Sequence, residues 1–302
     1  MNKKKDKPNK VESLTTRILD RVCNIIILAV VIYVLYWVVQ VTTACSFHTP
    51  SGSMTPTLQP DESGLVNKWK MGARIFNIID AAEGKPYEIR RLPGYGHLER
   101  GDVIVFNYPY QDRKDSIAMN LGLYYCKRAV GIPGDTLEII DCFYHVRGCP
   151  DTLGVASEQR TLQAFMAHVA EEEPNTRKWN GWQRIQPKDS ILNWTVKDMG
   201  PLIIPGEGTE IELDRKNWLL YRRYIEWETG RKLQWRDSVA VMDGKPLKTY
   251  RFKENYCFAA GDHAIDSRDS RYFGLVPEKF IVGVAGILWK TKDGKRRFRT
   301  IK

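Results

Sequence analysis

No CxxC pair occurs among the six cysteines, at positions 23, 45, 126, 142, 149 and 257, so the spacing of a zinc ribbon or finger is missing. Histidine is scarce as well, with five in 302 residues. The formal charge of +10 is not accompanied by a basic-aromatic binding module, which argues against nucleic acid as the partner. Part of the excess is concentrated: residues 1–21 hold seven Lys/Arg against three Asp/Glu. The remainder fits contact with an anionic membrane surface. A 43% hydrophobic share excludes disorder as the default state. Only Cys142 and Cys149 are close in sequence, and a hairpin between them would bring them into bridging range, with two unbonded cysteines as the alternative.

Long apolar runs are also few, and the one that stands out is Val22 to Val41, interrupted only by Asn24 and Gln40. Twenty such residues span a hydrocarbon core, and the length favours a retained anchor over a cleaved signal peptide. Thr42-Thr-Ala-Cys45 has some likeness to a lipoprotein processing site but lacks the usual aliphatic residue three before the cysteine. Tyr33, Tyr36 and Trp37 sit where an aromatic belt meets the outer interface, and the preceding basic residues predict a cytoplasmic N-terminus. From Val41 to Ser53 is twelve residues, about 40 Å at full extension, so Ser53 acts near the bilayer.

The rest of the chain predicts a mainly β protein. The expected organisation is a basic segment at 1–21, the anchor at 22–41, a catalytic antiparallel β domain in two parts at 42–149 and 239–302, and an inserted cap at 150–238. Strands are expected at Val103–Phe106, from Tyr124 into the Pro-Gly-Asp turn at 133–135, from Leu137 to Tyr144, at Tyr256–Ala260 and at Phe280–Trp289. Val239-Ala-Val-Met-Asp-Gly carries a tight hairpin signal. In the cap, Leu162, Phe165, Met166 and Val169 at helical spacing predict one amphipathic helix from Ser157 until Pro174. Trp69, Met71, Ile75 and Phe76 read either as core or as an apolar lip against lipid.

Ser51-Gly-Ser53, held between Pro50 and Pro56, suits a nucleophile or an ordinary polar loop. Lys127 lies inside an apolar strand, with Tyr125 and Ala129 on its face and Cys126, Arg128 and Val130 on the other. One of Lys127 and Arg128 must therefore enter a covered region. Burial disfavours an ammonium, and a neutral lysine amine is a general base able to activate a serine. The histidine alternative, a triad of Ser53 with Asp262 and His263, is disfavoured because adjacent strand residues point to opposite faces.

Pro50-Ser-Gly-Ser-Met-Thr-Pro-Thr-Leu58, Arg100-Gly-Asp-Val-Ile-Val-Phe106, Lys127-Arg-Ala-Val-Gly-Ile-Pro-Gly-Asp135 and Gly261-Asp262 through Asp269-Ser-Arg271-Tyr-Phe-Gly-Leu-Val-Pro277 resemble, in order behind an anchor, the signature boxes of bacterial type I signal peptidases. The resemblance implies a serine endopeptidase with Ser53 as nucleophile and Lys127 as general base. It further implies Ser51 and the Ser53 N–H as oxyanion hole, and Ser267, Asp262, Asp269 and Arg271 as supporting residues. Phe47, Met54, Leu58, Tyr125 and Cys126 would shape the small substrate pockets for Ala-X-Ala sites. No metal or cofactor is implied. The implied partners are preproteins with signal peptides, membrane lipid and the export machinery, at the outer face of the cytoplasmic membrane. His263-Ala264-Ile265 departs from the family's Asn-Arg-Asp, and Cys126 stands where a branched aliphatic residue is common. A self-cleaving regulator would need a DNA-binding module, and a tethered binding protein would not need a serine paired with a buried lysine.

Overall fold

The computed structural model describes residues 10–85, 87–111, 115–172, 185–187 and 189–301. Residues 1–9 of the basic N-terminal segment, and Pro174 as a helix stop, lie outside these.

The apolar run is part of a longer helix, α1, Lys10–Thr42, of which Thr16–Thr42 is long and apolar enough to cross a membrane. The helix begins well before the expected Val22 because no proline or glycine interrupts the chain from Lys10 onward. Its last carbonyls, which no helical N–H can reach, are closed from outside. Lys68 Nζ donates to Gln40 O (2.6 Å) and Val41 O (3.3 Å), and Lys68 N–H donates to Thr43 O. Strand pairing starts at Ala44, so a single residue separates helix from sheet.

The main sheet contains β1 (Ala44–Thr49), β2 (Glu62–Asn67), β3 (Val103–Asn107), β4 (Tyr124–Gly131), β5 (Tyr256–Ala260), β6 (Val276–Pro277), β7 (Ile281–Lys290) and β8 (Arg296–Thr300). The order is β1-β2-β7-β3-β4-β5-β6 with β8 also on β7, and every pairing is antiparallel. The mainly β architecture behind one apolar helix agrees with the sequence expectation.

Both faces of the central strands are covered. Ile104 and Phe106 of β3 enter the larger buried cluster, while Val103 and Val105 enter a second one with Met54, Leu58, Val66 and Leu288. This explains why β3 reads as a continuous apolar run rather than an alternating one. It also decides the fate of β4, whose Lys127 lies opposite Ile104 and Arg128 opposite Val103. Lys127 and Arg128 are 4% and 7% exposed, so both faces take a cation into cover where the sequence required only one.

Beyond the Gly134 turn (φ 92°), Thr136–Ile140 pairs with Phe143–Val146 and with Met199–Ile203. The two-residue turn of this hairpin is Asp141-Cys142, both at positive φ (49° and 75°). That placement corrects the single strand expected from Leu137 to Tyr144. It also decides between the two alternatives for Cys142 and Cys149 in favour of unbonded cysteines: Cys142 is in the turn, Cys149 lies past the far end of the returning strand, and both thiols are free. Asp243 and Gly244 turn the second hairpin at φ 51° and 77°, as their sequence predicts.

Among the described residues, 150–238 hold two helices, α2 (Ala156–Glu172) and α3 (Arg215–Thr229), where the sequence predicts one. The signals for α3 were present. Asp214 caps Asn217 N–H, Gly230 closes the other end at φ 67°, and Leu220, Tyr221, Tyr224 and Ile225 form its buried stripe. Arginines interleaved with partly buried tryptophans masked that stripe: Arg215 and Arg222 lie over the Trp218 ring. These residues share the large buried cluster with Phe252, Tyr256 and Phe280, so the stretch is packed into the same core as the sheet. Of the four apolar residues read as core or lip, Met71 is buried, Phe76 partly so, and Trp69 and Ile75 are exposed.

Candidate active site

Ser53 sits on the loop between β1 and β2, and three local contacts hold it. Thr55 N–H donates to Gly52 O (2.9 Å) and Leu58 N–H to Met54 O (2.8 Å), winding the backbone into consecutive turns. Across the cleft, His263 N–H donates to Ser53 O (3.1 Å). Met54 (2% exposed) anchors the loop in the smaller buried cluster. The Ser53 hydroxyl is left facing the cleft, with Ser51 Oγ at 3.3 Å.

Lys127 Nζ donates a hydrogen bond to Ser53 Oγ across 74 positions of sequence. Burial pushes the Lys127 amine below its ordinary value, and Asp269, the main opposing influence, only partly restores it. The amine also lies 5.6 Å from the centre of the Tyr125 ring. A lysine of this kind holds its proton weakly, which suits it to take one from a hydroxyl.

The loop after β5 encloses the pair from the other side. Asp262 receives two bonds of 2.7 Å from Arg128 Nε and Nη2, and Arg128 also donates to Thr57 Oγ1 (3.2 Å) and Gly101 O. The residue beside Lys127 thus links the 262 loop, the 57 loop and the 101 turn. Asp269 and Arg271 form a bidentate pair at 0% and 1% side-chain exposure, with Arg271 Nη1 on Ala264 O and Gly261 N–H on Asp269. Burial alone would raise the Asp269 carboxyl, but the Arg271 charge and hydrogen bonds carry it below the usual carboxylate range. Ser267 is buried in this loop against Gly261, and its Oγ has no hydrogen-bond partner among the described residues.

Gly261 is where these parts approach most closely. A Cβ there would collide with Ser267 Oγ and lie 2.6 Å from Ser53 O. Gly261→Ala is therefore expected to displace the Ser53 backbone and lower kcat by about 10²-fold, because an ångström of misplacement costs about that much. Turnover assays, with thermal melts to check the fold, would reveal it.

The cleft has a volume of about 410 Å³, and its lining includes Ser51, Ser53, Met54, Tyr125, Cys126 and Lys127. Two of the pocket residues read from the sequence lie elsewhere. Leu58 is fully buried, in the same cluster as Met54. Phe47 lines an adjoining cleft. Burial pushes the Cys126 thiol up to about 12, so it is a neutral packing group rather than a second nucleophile. Asp266 and Arg268 line the cleft too and were missed. Arg268 lies over the Tyr108 ring and donates to its hydroxyl (3.2 Å), a contact 160 residues apart that no local pattern announces.

His48 also reaches this cleft, but its ring contacts are Ser63 Oγ (3.4 Å) and Asp61 (3.6 Å). His263 lies 3.9 Å from Glu158 of α2. Asp262 is committed to Arg128, which leaves no Asp262–His263 arrangement for a triad. Among the described residues no group of three or more His, Cys, Asp or Glu side chains is arranged to hold a metal ion.

The chain is similar to known proteins over most of its length. The family model described as "Signal peptidase, peptidase S26" matches residues 21–190 and 201–290. A signal peptidase I from Pseudomonas fluorescens is 33% identical over 253 residues, covering 80% of this chain and 63% of that protein. One from Haemophilus influenzae is 29% identical over 273 residues, covering 82% and 63%. A third, from Buchnera aphidicola of Acyrthosiphon pisum, is 26% identical over 256 residues, covering 82% and 68%.

Proposed function

Because the chain belongs to the signal peptidase family, peptidase S26, we propose that it cleaves signal peptides from preproteins with Ser53 as nucleophile and Lys127 as general base. The observation that carries this reading is the hydrogen bond from the buried Lys127 amine to the Ser53 hydroxyl. In the proposed cycle neutral Lys127 takes the Ser53 proton as Oγ attacks the carbonyl carbon ahead of the scissile bond. The Ser51 hydroxyl and the Ser53 N–H receive the oxyanion. The lysine then gives its proton to the departing amine, and water, activated by the same amine, releases the acyl group from Ser53.

The cleft walls set the substrate. Met54, Tyr125 and Cys126 leave shallow apolar pockets that accept small side chains and exclude large ones, which supports cleavage at Ala-X-Ala sites. The free edge needed for an extended peptide is on β4: its pairing with β5 begins only at Arg128, so among the described residues Tyr124–Lys127 is bonded to β3 alone. The helix α1 serves as a single-pass anchor, with the basic N-terminus in the cytoplasm and the sheet at the outer face of the membrane. Export machinery belongs to the same proposal as a source of substrate.

Two measurements test the chemistry. Ser51→Ala is expected to lower kcat by about 10²- to 10³-fold with KM little changed, as loss of one oxyanion donor does. An unchanged kcat would remove Ser51 from the oxyanion hole. The pH profile gives an independent check. Since the depressed Lys127 amine must be neutral to act, kcat/KM is expected to rise with pH and then level off once the free enzyme's amine has lost its proton. A flat profile down to acid pH would rule Lys127 out as the base.

A further inference from the structure

A second cleft, of about 540 Å³, opens between the end of α1 and the sheet. Trp37 and Val41 contribute from the helix, and Phe47, Phe76 and Ile78 from the domain. It is continuous with the Ser53 cleft, since His48 and Tyr124 line both. Two cations reach its wall, and both are engaged by carbonyl groups of the protein. Lys68 closes the end of α1, and Arg74 donates to Phe280 O (2.9 Å) and Asn107 Oδ1 (2.9 Å). What remains on offer is apolar contact, with Ile78 64% and Trp37 51% exposed.

The spacing along β4 connects the two clefts. Tyr124 precedes Lys127 by three residues, about 10 Å of strand. A peptide extended along the unpaired edge Tyr124–Lys127, away from the Ser53 hydroxyl, therefore reaches the mouth of the second cleft about three to four residues from the scissile bond. There it meets an apolar trough walled on one side by the anchor helix itself.

We propose that this second cleft seats the apolar segment that precedes the cleavage site in the substrate. The inference rests on the proposed peptidase reading and extends it from the residues flanking the bond to a second, more distant binding site. The occupant is a peptide rather than an anionic lipid headgroup because both cations at the site are already bonded within the protein, and because the cleft runs into the catalytic one. It makes KM depend on apolar residues that the catalytic cleft never touches.

The test uses the full chain in phosphatidylethanolamine–phosphatidylglycerol vesicles with two substrates, a complete preprotein and a short peptide holding only the residues next to the bond. Ile78→Asp places a charge at the mouth of the cleft on an exposed site, and Cys45→Trp fills its floor. Each is expected to raise KM for the preprotein by about tenfold, the loss of roughly one apolar side chain's contact, with kcat and short-peptide cleavage unchanged. Equal losses on both substrates, or none on either, would overturn the proposal.

Photocrosslinking identifies the occupant. In the Ser53→Ala protein, a benzophenone side chain placed about five to eight residues ahead of the bond is expected to label the segments of Phe47 and Phe76. Labelling there by a photoactivatable phosphatidylethanolamine, with none from the substrate, assigns the cleft to lipid and overturns the inference. If the unaltered protein cleaves neither substrate, the peptidase reading has failed and the inference falls with it. Cleavage of both substrates together with unchanged KM in the two variants rejects the second cleft alone.

Discussion

Lys127→Met is expected to abolish cleavage while making the protein more resistant to heat at neutral pH. The first half follows from position: the lysine amine is the group bonded to Ser53 Oγ, and a missing general base costs about 10²- to 10⁴-fold in rate. Ser53→Ala should match or exceed that loss, since neither partner works without the other. The second half follows from linkage. Burial lowers the folded-state pKa of Lys127 below the 10.5 of the unfolded chain, so the unfolded state binds the proton more readily. Folding is penalised at every pH below the depressed value, and the penalty fades as pH rises toward 10.5. Methionine has nearly the same shape and no proton to lose. Melting curves across pH on both proteins should therefore converge at alkaline pH and separate at neutral pH, with the variant higher. A variant that melts lower at neutral pH would mean that the amine stabilises the fold rather than burdening it.

The largest loss of stability is expected from Asp269→Ala. Asp269 and Arg271 are fully enclosed, and removing the carboxylate leaves a guanidinium with no counter-charge beside it. Breaking a buried pair from one side costs about 3–5 kcal/mol, a large part of a domain's total stability. The double variant Asp269→Ala/Arg271→Met should recover much of that loss, because the isolated charge goes with its partner. Denaturant midpoints of the four proteins give the coupling directly. Purely additive losses would show that the pair does not act as a unit. The pH dependence has the opposite sign to that of Lys127. The Asp269 carboxyl lies below 3.8, so its contribution is complete above that value and is lost as pH falls through the depressed one.

Much of this site was readable in the sequence because it is built from short boxes with fixed internal spacing. Ser51 and Ser53 share one loop, and Asp269 and Arg271 are two residues apart, so neighbours in sequence are neighbours in space. Lys127 was conspicuous for another reason, being a charge inside an apolar strand. What could not be read were contacts between distant segments. Arg268 on Tyr108 and Leu58 behind Met54 depend on how loops pack over the sheet, which periodicity does not encode. Coverage of both sheet faces is likewise hidden, so the sequence requires cover for only one of Lys127 and Arg128, whereas Arg128 is the tie among three loops. The helix α3 was missed through composition: tryptophans and arginines interleaved with its apolar residues obscured a stripe that its caps had already announced.

The Lys68 amine, which closes the last turn of α1, has a consequence for how position is measured. With only Thr43 between helix and sheet, and a side chain from β2's far end fastening the two, there is no slack in the joint. On the proposed reading, in which α1 is the anchor, the protein would work as a depth gauge. The bilayer would set the zero, the helix end would transfer it to the sheet, and Ser53 would read the substrate at one fixed elevation. Which peptide bond is cut would then be decided twice, by the shape of the side chains beside it and by its height above the lipid.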